Sequence, residues 1–152
     1  MKPFKQFFEK TIIGLIERID LHGIGTVDAK IDSGNGAYNV LHGEDINRQG
    51  NKVTFTTIDN KRLIKDIVDT IVINVGAGNI EERPVVKFRM KFAGREFDNI
   101  PFSIGNRASN EYKILVGKDF IKQLDALIDI DSKHIADKQL EVQIDTKKED
   151  FA

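Results

Sequence analysis

Residues 85–92 read VVKFRMKF, and this alternation constrains the fold more tightly than any other stretch. In an extended chain Val86, Phe88, Met90 and Phe92 fall on one side, with Lys87, Arg89 and Lys91 on the other. That is the period-two pattern of a strand with one buried and one wet face, whereas a helix would scatter the same side chains around its axis. Gly94 then suits a hairpin returning through residues 96–104, so the pattern calls for paired antiparallel strands. Further β-branched or alternating runs at 11–16, 27–31, 53–58, 67–75, 126–130 and 140–144 extend the prediction. Helical signals are sparse. Residues 4–8 suit a short amphipathic turn, and 44–49 suit one helical turn. Residues 118–124, KDFIKQL, place Phe120, Ile121 and Leu124 on one face and predict the one clear helix. The fold class that follows is mainly β.

A chain of 152 residues, 40% of them hydrophobic, suffices for one packed core and hardly for two. A single domain is assigned to residues 1–145, and the charged stretch 146–152 is expected to be a flexible tail. The net charge of −1 comes with interspersed acids and bases, so no basic stripe advertises nucleic-acid binding. The absence of cysteine excludes disulfides, thiolate metal sites and cysteine nucleophiles. No apolar run reaches the roughly 18 residues of a membrane span, so a soluble, cytoplasmic protein is expected.

Three arrangements that suggest chemistry fail on their own terms. Gly76 and Gly78 in VINVGAGNIEERP follow an apolar strand as a dinucleotide fingerprint would, yet Glu81 occupies the third glycine position and the next segment reads as strand. A hairpin with a glycine-rich tip is the better description. His42, Glu44 and Asp45 in LHGED could all ligate a metal, but the three histidines, His22, His42 and His134, form no paired zinc motif. No metal and no cofactor is therefore assigned. Ser33, Ser103, Ser109 and Ser132 lack a nucleophile elbow.

The stretch KIDSGNGAY, residues 30–38, is different. By itself Asp32-Ser33-Gly34 followed by Asn35-Gly36 is an ordinary turn sequence. Its position in the chain gives it a second meaning. The order is strand, Asp-Ser-Gly, further strands, a glycine-tipped hairpin, Ile114-Leu115-Val116-Gly117 and a helix. This order resembles the retropepsin-like aspartic proteases. The resemblance sharpens towards a bacterial-type branch labelled putative ATP-dependent zinc proteases and associated with ATP-grasp peptide ligases. Four blocks carry it over about residues 12–130: Gly14-Leu15-Ile16-Glu17; Ala29-Lys30-Ile31-Asp32-Ser33-Gly34 with Leu41-His42-Gly43; Glu82-Arg83-Pro84-Val85-Val86; and Arg107 with Tyr112 to Lys118. The chain departs from that pattern at Asn35-Gly36, at Tyr38-Asn39-Val40 and at Asn110. Neither a zinc ligand set nor a nucleotide loop accompanies the label.

The resemblance implies a closed β-barrel of the acid-protease fold, with a flap hairpin and one short helix in the C-terminal half, working as a symmetric homodimer. It implies Asp32 as the catalytic residue, paired with Asp32 of a second chain to activate water against a peptide or protein substrate. Ser33, Gly34, Leu115, Val116 and Gly117 are implied as supports of the aspartate loop. Gly76, Ala77, Gly78 and Asn79 are implied as a flap over the substrate, and Arg107 as a substrate contact. The alternative is a noncatalytic dimeric relative that uses the same cleft to bind a peptide or protein.

Overall fold

The alternation at 85–92 lies within the longest strand of the described structure. A computed structural model describes residues 10–137. Its strands are β1 (Thr11–Leu21), β2 (Gly25–Ile31), β3 (Asn39–His42), β4 (Glu44–Gln49), β5 (Lys52–Thr56) and β6 (Arg62–Asp66). They continue as β7 (Asp69–Gly76), β8 (Asn79–Phe92), β9 (Arg95–Gly105), β10 (Ile114–Val116) and β11 (Ala126–Lys133), with the helix α1 (Lys118–Gln123) between the last two. Val86, Phe88, Met90 and Phe92 are buried, while Lys87, Arg89 and Lys91 face solvent, as the period-two pattern requires.

Register in the β8–β9 hairpin runs from Phe92↔Arg95 to Val85↔Ser103. The two-residue turn between them, Ala93-Gly94, takes φ of 52° and 72°, the left-handed pair that matches the twist of a tight hairpin. Across the hairpin the Phe88 and Phe102 rings meet edge to face at 5.8 Å. Phe120 of α1 packs edge-on against Phe97 at 5.1 Å and Phe92 at 6.0 Å, which fixes the short helix on the β8–β9 hairpin. The core thus sits between the long hairpin, β1, β2, β10 and α1.

The main sheet is mixed, in the order β11-β1-β2-β10-β3-β9-β8-β7, and β4-β5-β6 form a smaller antiparallel sheet. Parallel pairing joins β1 to β11, β2 to β10 and β3 to β9. β1 also pairs with β8 through Asp20↔Lys91 and Leu21↔Met90, linking strands from separate parts of that order.

Gly14 and Glu17 have a local explanation. The β1–β11 register shifts after Gly14, where a side chain would come within 2.7 Å of the Ser132 carbonyl carbon and 2.9 Å of Lys133 Cα. Glu17 turns inward and is 2% exposed. Its Oε2 accepts the N–H groups of Gly14 at 2.6 Å and Ile135 at 3.2 Å, and its Oε1 accepts that of Ala136 at 3.3 Å. A buried carboxylate is tolerated because backbone donors surround it.

The helical turn expected at 44–49 is instead strand β4. All six side chains are exposed, so no apolar stripe favours a helix, and so short a helix does not hold by itself. Pairing with β5, whose Val53 and Phe55 are buried, decides the conformation. Expected strand limits also move: 11–16 continues to Leu21, 53–58 ends at Thr56, 67–75 begins at Asp69, and 126–130 runs on to Lys133. The segments 4–8, 140–144 and 146–152 lie outside the described residues, as do both ends of the 1–145 domain. Among the described residues no helix is long and apolar enough to cross a membrane.

Candidate active site

Asp32 follows the last residue of β2, at the point where the chain leaves the sheet. Its backbone N–H donates to the Val116 carbonyl at 2.9 Å, extending the parallel β2–β10 pairing (Val116↔Ile31) by one bond into the loop. Asn35 N–H donates to the Asp32 carbonyl at 3.1 Å, closing a turn over Ser33-Gly34. Gly34 N–H donates to Asp32 Oδ1 at 3.1 Å, which orients the carboxylate. Asp32 is half-buried, and Ser33 and Gly34 are exposed, so one face of the loop is open to a ligand.

Asn35 laces this loop together. Its Oδ1 accepts the Ala37 N–H at 2.9 Å, its Nδ2 donates to the Tyr38 carbonyl at 3.1 Å, and its own carbonyl accepts the Lys118 N–H at 2.8 Å. Gly117 lies beneath: a side chain there would come within 3.0 Å of the Asn35 carbonyl oxygen and 3.1 Å of that of Ala37. Buried Asn39 completes the support, with Oδ1 accepting the Gly117 N–H at 2.8 Å and Nδ2 donating to the Pro101 carbonyl at 3.2 Å. Leu115 and Val116 therefore flank β2 in register, and Gly117 passes directly under the aspartate loop.

Gly76, Ala77, Gly78 and Asn79 form the exposed tip of the β7–β8 hairpin. Positive φ at Gly76, Ala77 and Gly78 (98°, 52° and 76°) accounts for the small residues. The hairpin base is tied to the aspartate loop, because Tyr38 Oη donates to Asp69 Oδ2 at 2.6 Å. That bond raises the Tyr38 hydroxyl above its usual range and holds the Asp69 carboxyl below its own.

Arg107 sits in the loop after β9 and donates from Nε to the Tyr112 carbonyl at 3.0 Å. Burial and then the Arg83 guanidinium lower its pKa, while the Asp32 carboxylate opposes them. Arg83 packs on Gly105, where any side chain would come within 2.7 Å of its Nε. That Nε is buried without a hydrogen bond and lies 3.4 Å from Glu81 Oε1.

Sequence reasoning left three contributors without a role. Tyr38 and Asn39 act through partners 31 to 78 positions away, a separation no local pattern reveals. His42, which the quoted LHG block did single out, is buried, and its Nδ1 accepts the Arg107 N–H at 2.8 Å. Its Nε2 lies 3.3 Å from Glu44 Oε1. Among the described residues no group of three or more His, Asp or Glu side chains is placed to hold a metal ion.

No protein-family model matches the chain, and no curated protein matches it. Among solved structures, a protein of unknown function (DUF785) from Legionella pneumophila subsp. pneumophila str. Philadelphia 1, Lpg0085, superposes with a TM-score of 0.69. The superposition covers 83% of this chain and 98% of that one, at 22% sequence identity, and so identifies a shared, mainly β fold.

Proposed function

We propose that this chain is one half of a retropepsin-like aspartic peptidase that hydrolyses peptide bonds at a homodimer interface. The observation that carries the reading is the Asp32-Ser33-Gly34 turn. It is clamped to β10 by the Asp32–Val116 bond, its carboxylate is oriented by Gly34, and its outer face is open. One aspartate cannot serve as both base and acid in the same step, so the chemistry requires Asp32 from each of two chains. Two carboxylates about 3 Å apart share one proton, because both cannot ionise cheaply. The ionised member takes a proton from the attacking water while the protonated member donates to the substrate carbonyl oxygen. Gly117 and Asn39 hold the loop from below, the tip at Gly76 to Asn79 closes over the peptide, and Arg107 contacts the substrate.

Incubating the protein with a peptide library from about pH 4 to about pH 7, with products read by mass spectrometry, tests this reading. Wild type is expected to cleave, and Asp32→Asn is expected to lose activity on the order of a hundredfold or more. Cleavage that survives Asp32→Asn refutes the mechanism. Peptide binding without cleavage by either protein supports the noncatalytic alternative.

A further inference from the structure

His42 binds both ends of the loop that carries Arg107. Its backbone N–H donates to the Lys113 carbonyl at 2.8 Å, where the loop rejoins the sheet. Its ring accepts the Arg107 N–H at 2.8 Å, where the loop leaves it. Between those points the loop is self-contained: Lys113 Nζ donates to the carbonyls of Arg107, Ala108 and Asn110 at 2.6–2.9 Å. Among the described residues, the imidazole is thus the one side chain outside the loop shown holding Arg107's backbone to the sheet.

We propose that His42 is a positioning residue: its neutral imidazole holds the Arg107 backbone to the sheet, and hence the Arg107 cation within electrostatic range of Asp32. The hydrogen-bond chemistry fixes the tautomer. Nδ1 faces a donor, so it carries no proton, and the ring proton sits on Nε2, which lies 3.3 Å from Glu44 Oε1. Protonating Nδ1 would turn an acceptor into a second donor and break the bond to Arg107. The charged groups facing the ring are Glu44 on β4 and Arg107 and Lys113 on the loop. Burial lowers the imidazole pKa, Glu44 opposes this, and Lys113 and Arg107 reinforce it, so the ring is neutral at neutral pH. Acid would therefore release the Arg107 loop independently of the titration of the Asp32 pair. The consequence for catalysis rests on the peptidase reading, but the loop geometry does not.

Nuclear magnetic resonance on the wild-type chain reads the tautomer directly. The expected state at neutral pH has protonated Nε2 and bare Nδ1; an Nδ1–H tautomer or a charged ring overturns the proposal. Amide exchange at Arg107 supplies the second test. His42→Leu, which removes the acceptor, is expected to lower the Arg107 protection factor, the intrinsic exchange rate over the observed rate at the same pH, about tenfold, as does acidifying the wild type below the His42 pKa. His42→Asn places an oxygen near the Nδ1 position and is expected to keep the amide protected at both pH values. An unchanged protection factor in His42→Leu, or one that falls in acid in His42→Asn, overturns the proposal. Since none of these measurements uses cleavage, their failure is distinguishable from failure of the peptidase reading.

Discussion

Glu17 offers the most quantitative test of how the fold is held. Replacing it by alanine strands three backbone donors, at Gly14, Ile135 and Ala136, around a side chain only 2% exposed. Each buried donor left unpaired costs about 1–3 kcal/mol, and partial access of water at Ile135 reduces the sum, so Glu17→Ala is expected to cost about 3–5 kcal/mol. Glutamine discriminates the mechanism. Oε2 serves two donors and Oε1 one, so an amide oxygen in the Oε2 place keeps two bonds and sets its NH2 against the Ala136 N–H alone. Glu17→Gln is expected to cost about 1–2 kcal/mol. Urea unfolding followed by far-ultraviolet circular dichroism measures both as a fall in midpoint with an unchanged slope. Equal losses for the two variants, or a loss below about 0.5 kcal/mol for alanine, would refute the reasoning.

Other perturbations follow from the same geometry. Gly14→Ala drives a methyl group into the backbone at Ser132 and Lys133, and the β1–β11 pairing should lose about 1–3 kcal/mol in the same urea assay. Asn39→Ala leaves the Gly117 N–H unpaired beneath the aspartate loop; a loss of about 1–3 kcal/mol is expected, accompanied by loss of peptide cleavage. Stability should also depend on His42. Its pKa is lower folded than unfolded, so between the folded value and about 6.5 the unfolded chain binds more protons and stability rises with pH. That contribution is complete above about pH 6.5 and declines in acid, and urea midpoints across this window should flatten in His42→Asn.

What the sequence discloses depends on where the determining partner lies. The alternation of Val86, Phe88, Met90 and Phe92 is readable because one face of β8 is buried and the other wet. The helix at Phe120 and Ile121 is readable for the equivalent reason at helical spacing. β3 escapes such reading: all four of its residues are buried, between β10 and β9, so it has no alternation to detect. β4 misleads for the opposite reason, being exposed throughout and fixed only by its pairing with β5. At the site, the β2–β10 pairing sets Asp32 beside Val116. The bonds from Asn39 to Gly117, Tyr38 to Asp69 and His42 to Arg107 span long sequence separations, and only the folded chain brings them together.

Subunit mixing tests most directly whether one catalytic centre is built from two copies of Asp32. Wild-type chains are refolded together with increasing proportions of Asp32→Asn chains, and peptide cleavage is measured at constant total protein. If each centre needs both carboxylates, mixed dimers are inactive and activity falls as the square of the wild-type fraction. A linear fall, with each wild-type chain acting alone, would contradict a shared dyad.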